Sequence, residues 1–137
     1  MVARATIERY VGREYVPGRY DCADLAMDVA REVYGRAVEM PQDRPRPTRV
    51  RAMVRALDRI PVAVAAPRAA GEAPQDGDAV LLSAGLARPT HIGIVAMIGG
   101  EPWVLHNDDH WGSSVLTRLR ELRAAGWHLH GVYAWTD

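Results

Sequence analysis

The spacing of apolar residues changes near residue 78 from a helical to a strand-like period, and this change constrains the fold more than any other feature. Before it, an amphipathic helix is predicted over residues 22–34, because apolar residues recur there three and four positions apart. Asp21 is a favourable N-cap for this helix, and Gly35 is placed to end it. A second helix is predicted after the proline-rich loop at 40–48.

After this point, four segments rich in Val, Ile, Leu and aromatic residues are separated by turn-forming residues and are predicted to be strands. They are "DAVLLS" (78–83), "HIGIVAMI" (91–98), "WVLHN" (103–107) and "HLHGVYAW" (128–135). The "GGEP" between the second and third predicts a hairpin, whereas the leucine spacing in 116–125 predicts a short helix. The chain is therefore predicted to be one α+β domain over residues 1–137, with N-terminal helices packed on an antiparallel sheet.

The charge balance and the N-terminal sequence narrow the partners and compartments that we expect. The chain has 17 basic and 17 acidic residues, so the electrostatic attraction that would favour a nucleic acid or an anionic membrane is missing. No segment approaches the roughly 18 apolar residues of a membrane span, and "MVARATIERYVGREYV" lacks the apolar core of a secretion signal. We therefore expect synthesis in the cytoplasm without a signal peptide, and neither a nucleic-acid nor a membrane partner.

The only cysteine of the chain, Cys22, falls in the first turn of the first long predicted helix. The thiolate is the nucleophilic form of cysteine, and the free N–H groups and the dipole of a helix N-terminus lower the pKa of a thiol there. A nucleophilic cysteine also needs a neighbouring histidine as base and a third group to orient it. The position predicts a thiol with a lowered pKa, and the alternative is an inert cysteine buried on the apolar stripe of the helix.

Two histidines are candidates for the base and for the orienting group. His91 begins one predicted strand and His106 lies near the end of the next, so the hairpin is expected to bring both rings to one edge of the sheet. Gly93 is expected to leave room for the close packing of another element, such as the helix that carries Cys22. The alternatives to His106 as the orienting group are Asn107, Asp108 and His110.

Three segments in this order, "YVPGRYDCADLAMDV", "GDAVLLS" and "HIGIVAMIGGEPWVLH", resemble the motifs of the NlpC/P60 cysteine peptidases, papain-like enzymes that cut the peptide stems of bacterial peptidoglycan. The resemblance implies a papain-like fold, no cofactor and no metal. It also implies that Cys22 is the nucleophile, His91 the base and His106 the orienting residue. The family has Ser-Gly after the cysteine where this chain has Ala23 and Asp24, which leaves the substrate preference open.

The resemblance also implies a substrate and a setting. Peptidoglycan stem peptides are the implied substrate, and Tyr15 and Tyr20 are expected to line the cleft, with the Asp24 carboxylate close to it. A short chain of this kind is most similar to the branch found in phage tail-tip assembly proteins. Tail-tip proteins are therefore implied partners, and the implied location is the virion tail or, by another route of export, the periplasm.

Three other functions stay open from the sequence. The first is a non-catalytic phage tail structural or assembly protein that retains the peptidase fold with an unused site. The second is a CHAP-type amidase or an antibacterial effector, which would use the same nucleophile and base on another bond. The third is a zinc site, since zinc accepts mixed Cys, His and Asp ligands, although no close ligand pair is present. Its ligands would be Cys22, His91, His106 and Asp108.

Overall fold

Antiparallel strands make up most of the regular structure in the computed structural model, which describes residues 2–16, 19–37, 65–84, 91–108 and 111–135. The two helices are α1 (Arg4–Glu8) and α2 (Cys22–Glu32). The strands are β1 (Ala65–Pro67), β2 (Ala79–Ala84), β3 (His91–Ile98), β4 (Glu101–Asp108), β5 (Ser113–Arg118) and β6 (Trp127–Trp135), with a 3-10 helix at Leu119–Glu121. The proline-rich loop 40–48, the helix predicted after it and His110 lie outside the described residues.

The six strands of the described ranges form one sheet in the order β1-β6-β2-β3-β4-β5. Every neighbouring pair is antiparallel. The predicted hairpin is present, because β3 and β4 pair from Ile98 with Glu101 to Gly93 with His106. Strand β6 returns across the sheet to lie between β1 and β2, and its ladder with β2 shifts register between Leu81 and Leu82.

The prediction of an α+β, papain-like fold with N-terminal helices packed on an antiparallel sheet is wrong. The fold is mostly antiparallel β, and its two helices in the described ranges are only five and eleven residues long. One physical reason is that two segments whose sequences show no clear strand pattern form strands by pairing with neighbours. These are β1, which pairs with β6, and β5, which pairs with β4. Neither helix is long and apolar enough to cross a membrane.

The four strands predicted from the sequence are confirmed, with ends that differ by at most two residues. The short helix predicted at 116–125 is wrong, because β5 continues to Arg118 and only one 3-10 turn follows. Leucine spacing suggested a helix there, but the β-branched residues Val115 and Thr117 fit a strand. They pair with His106 and Val104 of β4, which satisfies the backbone groups of this segment.

Side chains of the sheet alternate between two buried faces, as the period of a strand requires. We call the side covered by α2 the α2 face, and the opposite side the far face. The α2 face contains Cys22, Leu25, Val29, Leu81, Ile92, Ile94 and Leu105. The far face contains Val80, Leu82, Val95, Val104 and Leu122, with Trp127 and Leu129 packed against them.

A capping box fixes the N-terminus of α2. The Asp21 carboxylate accepts hydrogen bonds from the N–H groups of Ala23 and Asp24, each at 3.1 Å. The Asp24 carboxylate in turn accepts from the N–H of Asp21 at 2.9 Å. The predicted N-cap is therefore confirmed, and Cys22 is the first residue of the helix.

Candidate active site

Cys22 lies at the start of α2 with only 5% of its surface exposed. Its sulfur approaches the backbone N–H of Ile92, near the start of β3, and the N–H groups of Cys22 and Ala23. These three donors lower the pKa of the thiol, as expected at a helix N-terminus.

Burial has the opposite and larger effect on this thiol. Desolvation is the dominant cause and raises the pKa of Cys22 to about 12, and the nearby Asp21 carboxylate adds to the rise. The predicted lowering of the pKa is therefore wrong for this conformation, since the cost of burying a thiolate exceeds the stabilisation by backbone donors. Cys22 is a neutral thiol at neutral pH.

His91 and His106 form a hydrogen-bonded pair at one end of the sheet. Nε2 of His91 lies 2.9 Å from Nδ1 of His106, and the ring centroids are 5.1 Å apart with the planes at 79°. On its other side, Nε2 of His106 lies 3.3 Å from the hydroxyl oxygen of Thr117. The hairpin register explains this pairing, because His106 stands opposite Gly93 and the ring of His91 reaches it diagonally across the ladder.

Trp127, at the start of β6, covers both imidazoles. Its ring stacks on His91 with a centroid distance of 4.5 Å and an interplanar angle of 17°, and it meets His106 edge to face at 5.6 Å. Trp127 and Thr117 were missed as site residues. They come from strands distant in sequence from the histidines, and neither motif spacing nor residue type alone singles them out.

Burial of the pair determines the charge of His91. His91 and His106 keep only 6% and 1% of their surfaces exposed. Desolvation, followed by the effect of the neighbouring His106, lowers the pKa of His91 to about 3. His91 is therefore a neutral imidazole at neutral pH, which carries one ring N–H and can accept a second proton at the other nitrogen.

Cys22 and the histidine pair lie on opposite sides of β3. The sulfur approaches the Ile92 amide from the α2 face, whereas the ring of His91 stacks on Trp127 at the far face. Within the described ranges, no hydrogen bond joins the thiol to either imidazole. The structure thus brings His91 and His106 together and places the thiol at the residue that follows His91.

The residues predicted to bind substrate have other partners in this conformation. The Tyr20 hydroxyl donates to Asp28 at 2.8 Å and accepts from Arg13 at 2.9 Å. The Asp24 carboxylate belongs to the capping box described above. Tyr15 is half-buried and adjoins the loop before β5, where its N–H donates to the carbonyl of Gly112 at 2.8 Å.

The alternative orienting groups are distributed differently. Asn107 is fully buried on the α2 face, where its side-chain N–H donates to the Tyr20 carbonyl at 3.4 Å, so it lies across the sheet from the His91 ring. Asp108 ends β4 opposite Ser113. In the part of the chain that the structure describes, no group of three or more His, Cys, Asp or Glu side chains is arranged to hold a metal ion.

Comparisons with protein-family models, with curated proteins and with solved structures give no match for this chain. The resemblance to the NlpC/P60 peptidases therefore stays a prediction from the sequence motifs.

Proposed function

We propose that this protein is a cysteine peptidase that hydrolyses amide bonds in peptidoglycan stem peptides, with Cys22 as nucleophile, His91 as base and His106 as the residue that orients His91. The observation that carries the proposal is the 2.9 Å hydrogen bond between the two buried imidazoles. This bond occupies Nε2 of His91, so Nδ1 is the ring nitrogen that remains for proton transfer. The next residue, Ile92, is the one whose amide adjoins the Cys22 sulfur.

The protonation states define how the reaction begins. Because the thiol and the His91 imidazole are both neutral, no thiolate–imidazolium pair exists before substrate enters. The thiol and the His91 ring lie on opposite sides of β3 in this conformation, so the proposed reaction requires a rearrangement at the start of β3 that brings the thiol and Nδ1 of His91 into contact. The S–C bond to the amide carbon then forms while the thiol proton moves to Nδ1, which is general-base catalysis.

The remaining steps use the same groups. The imidazolium returns its proton to the leaving amine as the C–N bond breaks, which leaves a thioester on Cys22. Water, deprotonated by His91, then attacks the thioester and releases the acid and the free thiol. During both attacks the N–H of Cys22, at the first residue of α2, can stabilise the oxyanion.

The setting is part of the proposal. A peptidase of the tail tip would act on the cell wall, with tail-tip proteins as its partners. It would be made in the cytoplasm and would reach the wall with the virion tail or by another export route. The zero net charge of the chain is compatible with a small zwitterionic peptide as ligand.

The test is digestion of purified peptidoglycan followed by mass spectrometry of the released fragments. Wild-type protein is expected to cut within stem peptides, and the Cys22→Ala and His91→Ala variants are expected to be inactive. His106→Ala should be slower by about 10- to 100-fold, by analogy with the loss of other groups that orient a functional histidine. His128→Ala changes an exposed histidine of β6 and serves as the matched control.

Two results of this digest would contradict the proposal. Cleavage of the sugar strand alone would exclude a peptidase, and wild-type digestion by Cys22→Ala would exclude Cys22 as nucleophile. Cleavage between the sugar and the first amino acid would instead indicate an amidase, as in the CHAP-type alternative. Killing of cells only in the absence of a dedicated immunity protein would indicate the antibacterial effector.

A second candidate is a non-catalytic tail component in which Cys22 is a packing residue. The specific observation in its favour is the buried, protonated thiol, which makes no hydrogen bond to an imidazole in the described ranges. This candidate predicts no fragment release by the wild-type protein. It also predicts that Cys22→Ala still binds its partner proteins and that only the folding stability of the variant changes.

A further inference from the structure

We propose that Thr117 is a positioning residue that sets the tautomer of His91 through His106. The inference rests on the proposed function, because it concerns the nitrogen of His91 that accepts the thiol proton. It assigns a role to a residue of β5 that neither the motif resemblance nor the sequence pattern marks.

The geometry links three side chains in a row. Nε2 of His91 lies 2.9 Å from Nδ1 of His106, and Nε2 of His106 lies 3.3 Å from the Thr117 hydroxyl oxygen. A neutral imidazole has one N–H donor and one acceptor nitrogen. The direction of one hydrogen bond in the row therefore fixes the direction of the other.

With both rings neutral, two proton arrangements satisfy this row. If the Thr117 hydroxyl accepts from His106, both histidines carry their proton on Nε2, and Nδ1 of His91 is an unprotonated base. If the hydroxyl donates, both protons move to Nδ1, and His91 cannot accept the proton of a thiol at that nitrogen. Only the first arrangement is competent for the proposed reaction.

The intrinsic tautomer preference of imidazole and the partial exposure of Thr117 both favour the first arrangement. A neutral imidazole intrinsically prefers its proton on Nε2, and the first arrangement places both rings in this tautomer. The half-exposed Thr117 can turn its own hydroxyl proton towards solvent. The reverse arrangement would place both rings in the less favoured tautomer, with the His91 proton on Nδ1, the nitrogen that takes no part in the row.

The decisive experiment reads the tautomers directly by two-dimensional ¹⁵N NMR of the histidine rings. In the wild type we expect His91 and His106 both protonated on Nε2. Thr117→Val keeps the shape of the side chain and removes the acceptor, so we expect His106 to lose this single tautomer and His91 to become a mixture. Thr117→Ser keeps the hydroxyl and should restore the wild-type signals.

The same variants separate a positioning role from a packing role. Thr117→Val is expected to lower kcat about tenfold with little change in KM, the effect of one lost hydrogen bond of about 1.4 kcal/mol, and Thr117→Ser should recover it. A proton on Nδ1 of His91 in the wild type, or unchanged tautomers in Thr117→Val, would overturn the inference. If the proposed function is wrong, the wild-type protein will not hydrolyse peptidoglycan. The NMR signals will still show whether Thr117 sets the tautomers, so the two hypotheses can be tested separately.

Discussion

The imidazole of His91 shares a 2.9 Å hydrogen bond with that of His106, and both rings are almost fully buried. Burial lowers the pKa of His91 to about 3, whereas an unfolded chain has a histidine pKa of about 6.5. Below pH 6.5 the unfolded state thus binds a proton that the folded state does not. The free energy of unfolding should therefore fall by about 1.4 kcal/mol per pH unit from about pH 6 towards pH 3, as measured by urea denaturation.

The control for this pH dependence is a pair of histidine variants. His91→Phe keeps an aromatic ring against Trp127 but cannot titrate. The slope of its unfolding free energy against pH should therefore be smaller than in the wild type, by the amount that corresponds to the uptake of close to one proton. His128→Phe makes the same substitution at an exposed histidine of β6 and is the matched control. An identical slope in wild type and His91→Phe would contradict the lowered pKa of His91.

Alkylation of Cys22 should be slow in the folded protein. With the pKa of the thiol raised to about 12, the thiolate is scarce at pH 8, and the rate with iodoacetamide should rise about tenfold per pH unit. Mass spectrometry of the intact chain measures the rate, and the same protein in urea should react like a free cysteine. Fast alkylation of the folded protein at mildly acid pH would show that the helix terminus outweighs burial.

The elements that could be predicted are those whose own residues carry the signal. The strand His91–Ile98 was predicted with its bounds, because a continuous run of branched and apolar residues suits a strand buried on both faces. The hairpin turn after it then brought His91 and His106 to the same end of the sheet. The prediction of a short helix at 116–125 was wrong because leucines three residues apart suit a helix as well as a strand with a following 3-10 turn.

Properties that depend on tertiary packing could not be predicted. The pKa of Cys22 was expected to fall on the basis of its helix position, but the depth of burial below the sheet decides the direction. Gly93 was expected to make room for α2, yet its missing side chain faces Val104 and His106 on the far face. Because both faces of the sheet are buried, its strands are apolar on both sides. The sequence of such a strand does not show which of its residues point to which face.

Gly93→Ala is expected to destabilise the protein and to displace His106. A methyl group at this position would lie 2.7 Å from Cγ1 of Val104 and 3.2 Å from both Cβ of His106 and the Leu105 carbonyl. Overpacking of this kind costs about 1–3 kcal/mol of unfolding free energy. The loss should be smaller in a Val104→Ala background, which removes the closest contact, and a purely additive double-mutant cycle would contradict this explanation.

Asp24 is expected to affect helix stability rather than substrate choice. Its carboxylate accepts from the Asp21 N–H at 2.9 Å, so Asp24→Ala should lower the free energy of unfolding by about 0.5–1 kcal/mol. Asp24→Asn keeps an acceptor oxygen and is the matched control. A changed pattern of peptidoglycan fragments in Asp24→Asn, at unchanged stability, would instead place this carboxylate in contact with substrate.

The pH profile of kcat/KM is expected to lack a bell shape centred near neutral pH. This ratio reports the ionisation of the free enzyme, where the pKa of His91 is about 3 and that of Cys22 about 12. The profile should therefore be flat from about pH 5 to 9 for a stem peptide whose termini are acetylated and amidated, so that the substrate itself does not titrate. Circular dichroism at each pH verifies that the protein stays folded. Limbs near pH 6 and 8.5 would mean that the reacting enzyme exposes both groups to water before substrate binds, contrary to the buried, neutral pair described above.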